Sequence, residues 1–173
     1  NITAVNDASV LTNGGSVGAG ETSGGNPFFG VTTITDIDSV DFNGGTLTAT
    51  ISAGGESTDK LYLLTIGGIS LSGANVRVSG VTVGTWSGGT GGSPLVINFN
   101  AAADVASVQA VYQAVTYMTQ SDVPTLGVRT ISVVVTDGDG GISNTATGTV
   151  NLTSTVNDQP VFNNLNGTPS FIE

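Results

Sequence analysis

The chain has 173 residues, enough for one domain of ordinary size, and its 38% hydrophobic content and positive mean hydropathy argue against a disordered segment. Thirteen acidic residues against three basic ones (Lys60, Arg77, Arg129) give a net charge of −10, which repels nucleic acid and anionic membrane surfaces. Histidine and cysteine are absent, which removes His-based acid–base and nucleophilic catalysis, N/S-type zinc sites and any disulfide framework.

Residues 1–10 read as the end of a preceding strand plus a junction, and residues 11–27, rich in Gly, Ser and Asn, as a loop or a poorly anchored first strand. A β pattern starts near Phe28. Val31–Ile34 predicts a strand that stops at Asp36-Ile-Asp38-Ser39, and Asn43-Gly44 is a turn signal before the alternating strand Leu47–Ile51. Leu61–Ile66 predicts another strand, and Val76–Trp86 two short strands with a tight turn at Gly80. The Gly-rich loop Ser87–Gly92 leads to a strand at Leu95–Phe99.

The period then changes. Between Asp104 and Val115, the positions Val105, Val108, Val111 or Tyr112, and Val115 recur at helical spacing, with Asn100 or Asp104 as the cap. Strand patterns resume at Thr116–Thr119, at Thr130–Val135, which stops at Asp137-Gly-Asp-Gly-Gly141, and at Thr145–Val156. About eight short strands with one short helix predict an all-β, antiparallel sandwich. No stretch approaches the roughly 18 consecutive apolar residues of a membrane span, so membrane insertion is not expected.

Val5-Asn6-Asp7 recurs as Val156-Asn157-Asp158, 151 residues later, with similar text around both copies. A phrase repeated at both edges of a domain-sized segment reads as a junction between tandem modules. The expected division is a junction at residues 1–10, a module at 11–158, and the start of a next repeat or a donated strand at 159–173. The expected partners are neighbouring identical or similar modules.

Three acidic clusters lie at strand ends: Asp36-Ile-Asp38, Asp137-Gly-Asp139, and the two Asn-Asp junctions. Strands of a sandwich end at one pole or the other, so the clusters can meet in space. Calcium takes six to eight oxygen ligands, and Asp-x-Asp offers two carboxylates and a carbonyl. Asp, Asn and Gly are also ordinary turn residues. Asp137-Gly-Asp-Gly-Gly141 is not the start of an EF-hand loop, because its twelfth position is Gly148 and a strand pattern follows.

In combination these motifs resemble the cadherin-like repeats of very long bacterial surface and secreted adhesin-type proteins. The resemblance rests on Asn6-Asp7-Ala8-Ser9, Asp36-Ile-Asp-Ser39, Gly44-Gly-Thr-Leu47, Ser107–Tyr117, Thr136-Asp-Gly-Asp-Gly-Gly141 and Asn157-Asp158-Gln159-Pro160. It implies a Greek-key, cadherin/immunoglobulin-like sandwich, an extracellular location and calcium at the junctions. Asn6, Asp7, Asp36, Asp38 and Asp137 would form one cluster, with Asp139, Asp41 and Asn43 as further candidates. At the other pole Glu21 would join Asn157 and Asp158, and Glu173 would serve the next repeat. Two features depart from the family. Ser9 stands where a Pro is usual, and residues 11–27 do not match the usual Phe-x-Glu-Gly strand, so the first strand is expected to be missing, replaced or supplied by a neighbour.

Trp86 beside Gly88-Gly89 suggests a sugar-stacking platform or, more simply, core or edge packing, and Tyr62, Tyr112 and Tyr117 read as core. Asn1, Asn151 and Asn166 begin N-x-Thr glycosylation patterns, which arise easily by chance in a Thr-rich chain. Nothing in the carboxylate spacing favours glycoside hydrolysis. The leading expectation is a non-enzymatic, calcium-rigidified structural or adhesive module of an extracellular array. A subunit of a filament built by β-strand donation is second, and a carbohydrate-binding module recognising glycans or a cell-surface ligand is third.

Overall fold

A computed structural model describes residues 5–20, 25 and 27–154. The described residues are mostly β with one short helix, and their sheets are not closed. The strands are β1 (Val10–Leu11), β2 (Ser16–Gly20), β3 (Ile34–Thr35), β4 (Thr46–Ala53), β5 (Asp59–Leu63), β6 (Ile69–Ser72), β7 (Asn75–Val78), β8 (Val81–Gly88) and β9 (Leu95–Phe99). Helix α1 (Val105–Ala114) is followed by β10 (Val115–Thr119), β11 (Gly127–Thr136) and β12 (Ala146–Ser154). Eight strands form the main sheet in the order β2-β12-β11-β4-β9-β8-β7-β6; β5 pairs with β10, and β1 with β3.

Period-two alternation explains the central strands. In β11, Arg129, Ile131, Val133 and Val135 are buried while their neighbours are not, and β4 buries Leu47 and Ala49 in the same phase. The apolar ones join Leu61 and Leu63 of β5, Val115 and Tyr117 of β10, and Val108, Val111 and Tyr112 of α1 in one hydrophobic core. Asp104 caps α1 by accepting from Ser107 N at 2.8 Å, whereas Asn100 closes its own turn through Ala102 N. Phe28 and Phe29 are fully buried, and Phe29 packs on Tyr112 with ring centroids 4.7 Å apart.

Several sequence expectations need correction. Of the strand expected at Val31–Ile34 only Ile34 is strand, in Ile34–Thr35; Val31 closes a turn that carries Phe28 and Phe29 into the core, and Thr32 and Thr33 are irregular. The strand expected at Leu61–Ile66 is displaced to Asp59–Leu63. Ile69–Ser72, unassigned from sequence, pairs with β7 as a hairpin. The expected loop at Ser87–Gly92 begins later, because β8 runs through Gly88. The expected loop or missing first strand is filled by β2, which lies parallel to β12, so the main sheet is not purely antiparallel. A Gly-rich, polar segment gives little strand signal, because its pairing is specified by backbone bonds and not by side-chain pattern. Tyr112 and Tyr117 are core as expected, but Tyr62 is only half-buried, with its hydroxyl accepting from Gly25 N at 2.8 Å. Among the described residues no helix is long and apolar enough to cross a membrane.

Burial raises the phenols of Tyr112 and Tyr117 above their ordinary range, and for Tyr117 the bond to Asp59 adds to the effect. The unfolded chain therefore loses these protons at lower pH than the folded one. Their stabilising contribution is complete below about pH 10 and is lost as pH rises beyond it. The melting temperature should fall with the onset of phenolate absorbance. Melting that is insensitive to pH between 9 and about 11.5 would contradict this.

Candidate metal centre

Strand β11 ends at Thr136 on one pole of the sheet, and Asp137 continues its inward phase to lie 1% exposed. A carboxylate so deeply placed must be fully hydrogen-bonded. Asp137 Oδ1 accepts from the backbone N–H groups of Asp139 (2.8 Å) and Gly141 (2.9 Å), and Oδ2 accepts from Asn6 Nδ2 at 2.8 Å. Gly138, at φ +97°, brings this loop so close to the Asn43 carbonyl that a Cβ there would overlap it. A Cβ on Gly141 would meet Asp137 Oδ2 and Asn6 Nδ2, so the 137–141 turn wraps the junction segment.

The same junction segment reaches the second acidic loop. Asp7 N donates to Asp38 Oδ2 at 3.1 Å, and the buried Ser9 Oγ donates to Asp36 Oδ2 at 2.6 Å. Asp36 Oδ1 also accepts from Ser39 N (2.9 Å) and Asp38 N (3.3 Å), which closes the loop on itself. Asp7, Ala8, Val10, Thr35, Asp36 and Ile37 line an open cleft of about 500 Å³.

Thus Asn6, Asp7, Asp36, Asp38 and Asp137 do come to one pole, with residues 6–9 as the thread between the two loops. Asp139 contributes its backbone N–H to Asp137. Asp41 lies beside this pole, but its carboxylate accepts from Asn43 N in its own turn at 2.9 Å, and Asn43 touches the 137–141 loop through its backbone carbonyl. Glu21, Asn157, Asp158 and Glu173 fall outside the described residues. Oxygen donors of this kind suit a hard cation. Among the described residues, however, no three acidic side chains converge on a common point, and the carboxylates of Asp36, Asp38 and Asp137 each accept an N–H or O–H.

Burial pulls the Asp36 carboxyl upward. The donors from Ser9 and the backbone of Ser39 and Asp38 outweigh it and hold the group below its ordinary value. Asp36 therefore supports the fold above the unfolded value of about 3.9 and loses that contribution as pH falls through its lower folded value. Ser9→Ala should move the Asp36 titration upward, as read from its carboxyl carbon by NMR. An unmoved titration would remove Ser9 from the site. From sequence Ser9 was only a departure from Pro; its hydroxyl two residues from Asn6-Asp7 was the available signal.

A second polar cluster, at the opposite pole, went unread. Asp59 and Arg129 are buried and meet at 3.0 Å. Asp59 also accepts from Tyr117 Oη (2.6 Å) and Glu56 N (2.9 Å). Arg129 donates to Thr125 O (2.9 Å) and lies 3.5 Å from Glu56. Burial alone would lower the guanidinium pKa, but Asp59 more than offsets it and the group is held above its usual value. Trp86 is half-buried against the core and donates from Nε1 to Gly73 O at 3.2 Å. Comparison with protein-family models, curated proteins and solved structures finds no match to this chain.

Proposed function

We propose that this chain is a calcium-binding structural module of an extracellular repeat array, folded as a Greek-key sandwich of the cadherin/immunoglobulin type. One observation carries the reading. The junction phrase does not trail away from the domain, but is stitched at Asn6, Asp7 and Ser9 to both acidic loops of one pole. A cation held there would stiffen the junction between modules.

Asp36, Asp38, Asp137 and the Asn6 amide oxygen are the ligands this reading assigns. Calcium would have to draw Asp36 from Ser9 Oγ and Asp38 from Asp7 N, exchanging neutral donors for a divalent charge. Mass action would then stabilise the fold by about 2.7 kcal/mol at a hundredfold excess of calcium over its Kd. Melting in millimolar calcium should exceed melting in EDTA, and Asp36→Asn with Asp38→Asn should abolish most of the difference. Equal melting in both conditions sinks the reading and leaves the Asp-Gly loops as turns.

A filament assembled by strand addition is the second reading. It is favoured by β6, Ile69–Ser72, which ends the main sheet without a further strand among the described residues and carries no charge. The place beside β12 is taken by the chain's own β2, so a donated strand would add at β6 or displace β2. Growth of particle size with concentration, blocked by Leu71→Lys, would favour it over the array.

A further inference from the structure

The acidic pole also displays aliphatic side chains. Ile37 is 86% exposed, Val40 88% and Ile142 65%, each on or flanking a loop that Asp36 or Asp137 holds by backbone hydrogen bonds. The opposite pole shows the same feature, with Val123 82% exposed, Leu126 51% and Val128 53%. Its loop is also held from within. Arg129 grips Thr125 O, Thr125 N donates to Glu56 Oε1 at 3.3 Å, and Val123 N donates to Ser121 Oγ at 3.2 Å. Aliphatic side chains displayed on pinned loops lose little further freedom when covered, which is preorganisation for docking. The two sets lie at opposite ends of β11 and cannot cover each other within one module.

Chain geometry says what covers them. Strand β12 ends at Ser154 on the Leu126 pole, since Leu152 pairs with Gly127. Asn157-Asp158, the second copy of the junction phrase, begins three residues later. Three residues span at most about 10 Å. In the described copy, Asn6-Asp7 is bonded directly to the acidic loops. A following module that uses Asn157-Asp158 as this one uses Asn6-Asp7 therefore has its acidic pole within about one extended tripeptide of Ser154, at the pole that carries Leu126.

The geometry points to a direct apolar contact between consecutive modules: Val123, Leu126 and Val128 of one copy pack on Ile37, Val40 and Ile142 of the next. The inference rests on the tandem-module reading above, but not on calcium. The contact limits bending even where no cation is bound, and the cleft lined by Val10 and Ile37 offers room for an incoming aliphatic side chain.

The test is a two-copy chain, residues 1–156 running directly into a second copy from Asn6 onward, compared with the single chain by amide hydrogen exchange in EDTA and in calcium. Exchange should slow about tenfold at 120–128 of the first copy and at 37–40 and 139–142 of the second. Val123→Ser with Leu126→Ser should erase that protection without lowering the melting temperature of the single chain. Equal exchange in the two-copy and single chains, in both conditions, overturns the contact. Protection that needs calcium and ignores the Val123 and Leu126 substitutions overturns it too, while leaving the calcium junction standing. Protection that survives EDTA and vanishes on substitution supports the contact and shows that calcium is not needed for it.

Discussion

Arg129→Met is expected to destabilise the domain by about 3–5 kcal/mol, the usual cost of stranding one partner of a buried ion pair. Asp59 would remain fully buried with only Tyr117 Oη and Glu56 N as donors, and Thr125 O would lose its partner. In a domain of this length the melting temperature should drop by about 10 °C. The loop holding Val123 and Leu126 would loosen at the same time, because Arg129 is what fastens it to the core. Adding Asp59→Leu to Arg129→Met should recover much of the loss, since replacing a buried ion pair as a whole is often near neutral. A single Arg129→Met variant that loses less than about 1 kcal/mol in urea denaturation would show the pair to be no stronger than a surface one.

Asp137→Ala should cost about 3 kcal/mol or more, because three donors lose a charged acceptor at once: Asn6 Nδ2 and the backbone N–H groups of Asp139 and Gly141. The effect is also local. Losing the bond to Asn6 frees the junction segment from this loop, so the amide resonances of residues 6–9 should shift with those of 139–141. Asp137→Asn should cost much less, about 1 kcal/mol. Its amide oxygen still accepts from the two backbone groups, and the facing Asn6 amide can rotate to present its oxygen. Near-equal losses for Ala and Asn would mean that charge, not acceptor geometry, holds the turn together. An Asp137→Ala variant as stable as the parent would leave the junction unanchored and weaken the calcium reading with it.

The inward phase of β11 links these two predictions. Arg129, Ile131, Val133, Val135 and Asp137 form one buried row, with an ionised group at each end. Alternation in Val128–Asp137 already placed both charges in register with the core. Asp59 stands in the same way in register with Leu61 and Leu63, and Tyr117 with Val115. A lone charge in phase with apolar neighbours is a readable sign of burial. Its partner is not readable, because Asp59 and Arg129 are 70 residues apart on strands of different sheets, and only the packing of one sheet against the other brings them together.

Composition and periodicity by themselves determined that this chain is mostly β, that one helix lies near residues 104–115, and which strand ends carry the carboxylates. These are local properties: side-chain alternation, capping and turn chemistry act over a few residues. The recurring junction phrase was equally visible. Tertiary structure alone decided the rest. It put β2 beside β12, where a Gly-rich segment pairs by backbone bonds that leave no pattern in the side chains. It turned the first acidic loop toward Ser9 and the second toward Asn6, contacts that span 27 and 131 residues. It also left aliphatic side chains bare at both poles, a feature invisible in sequence because burial depends on which distant strands cover a residue.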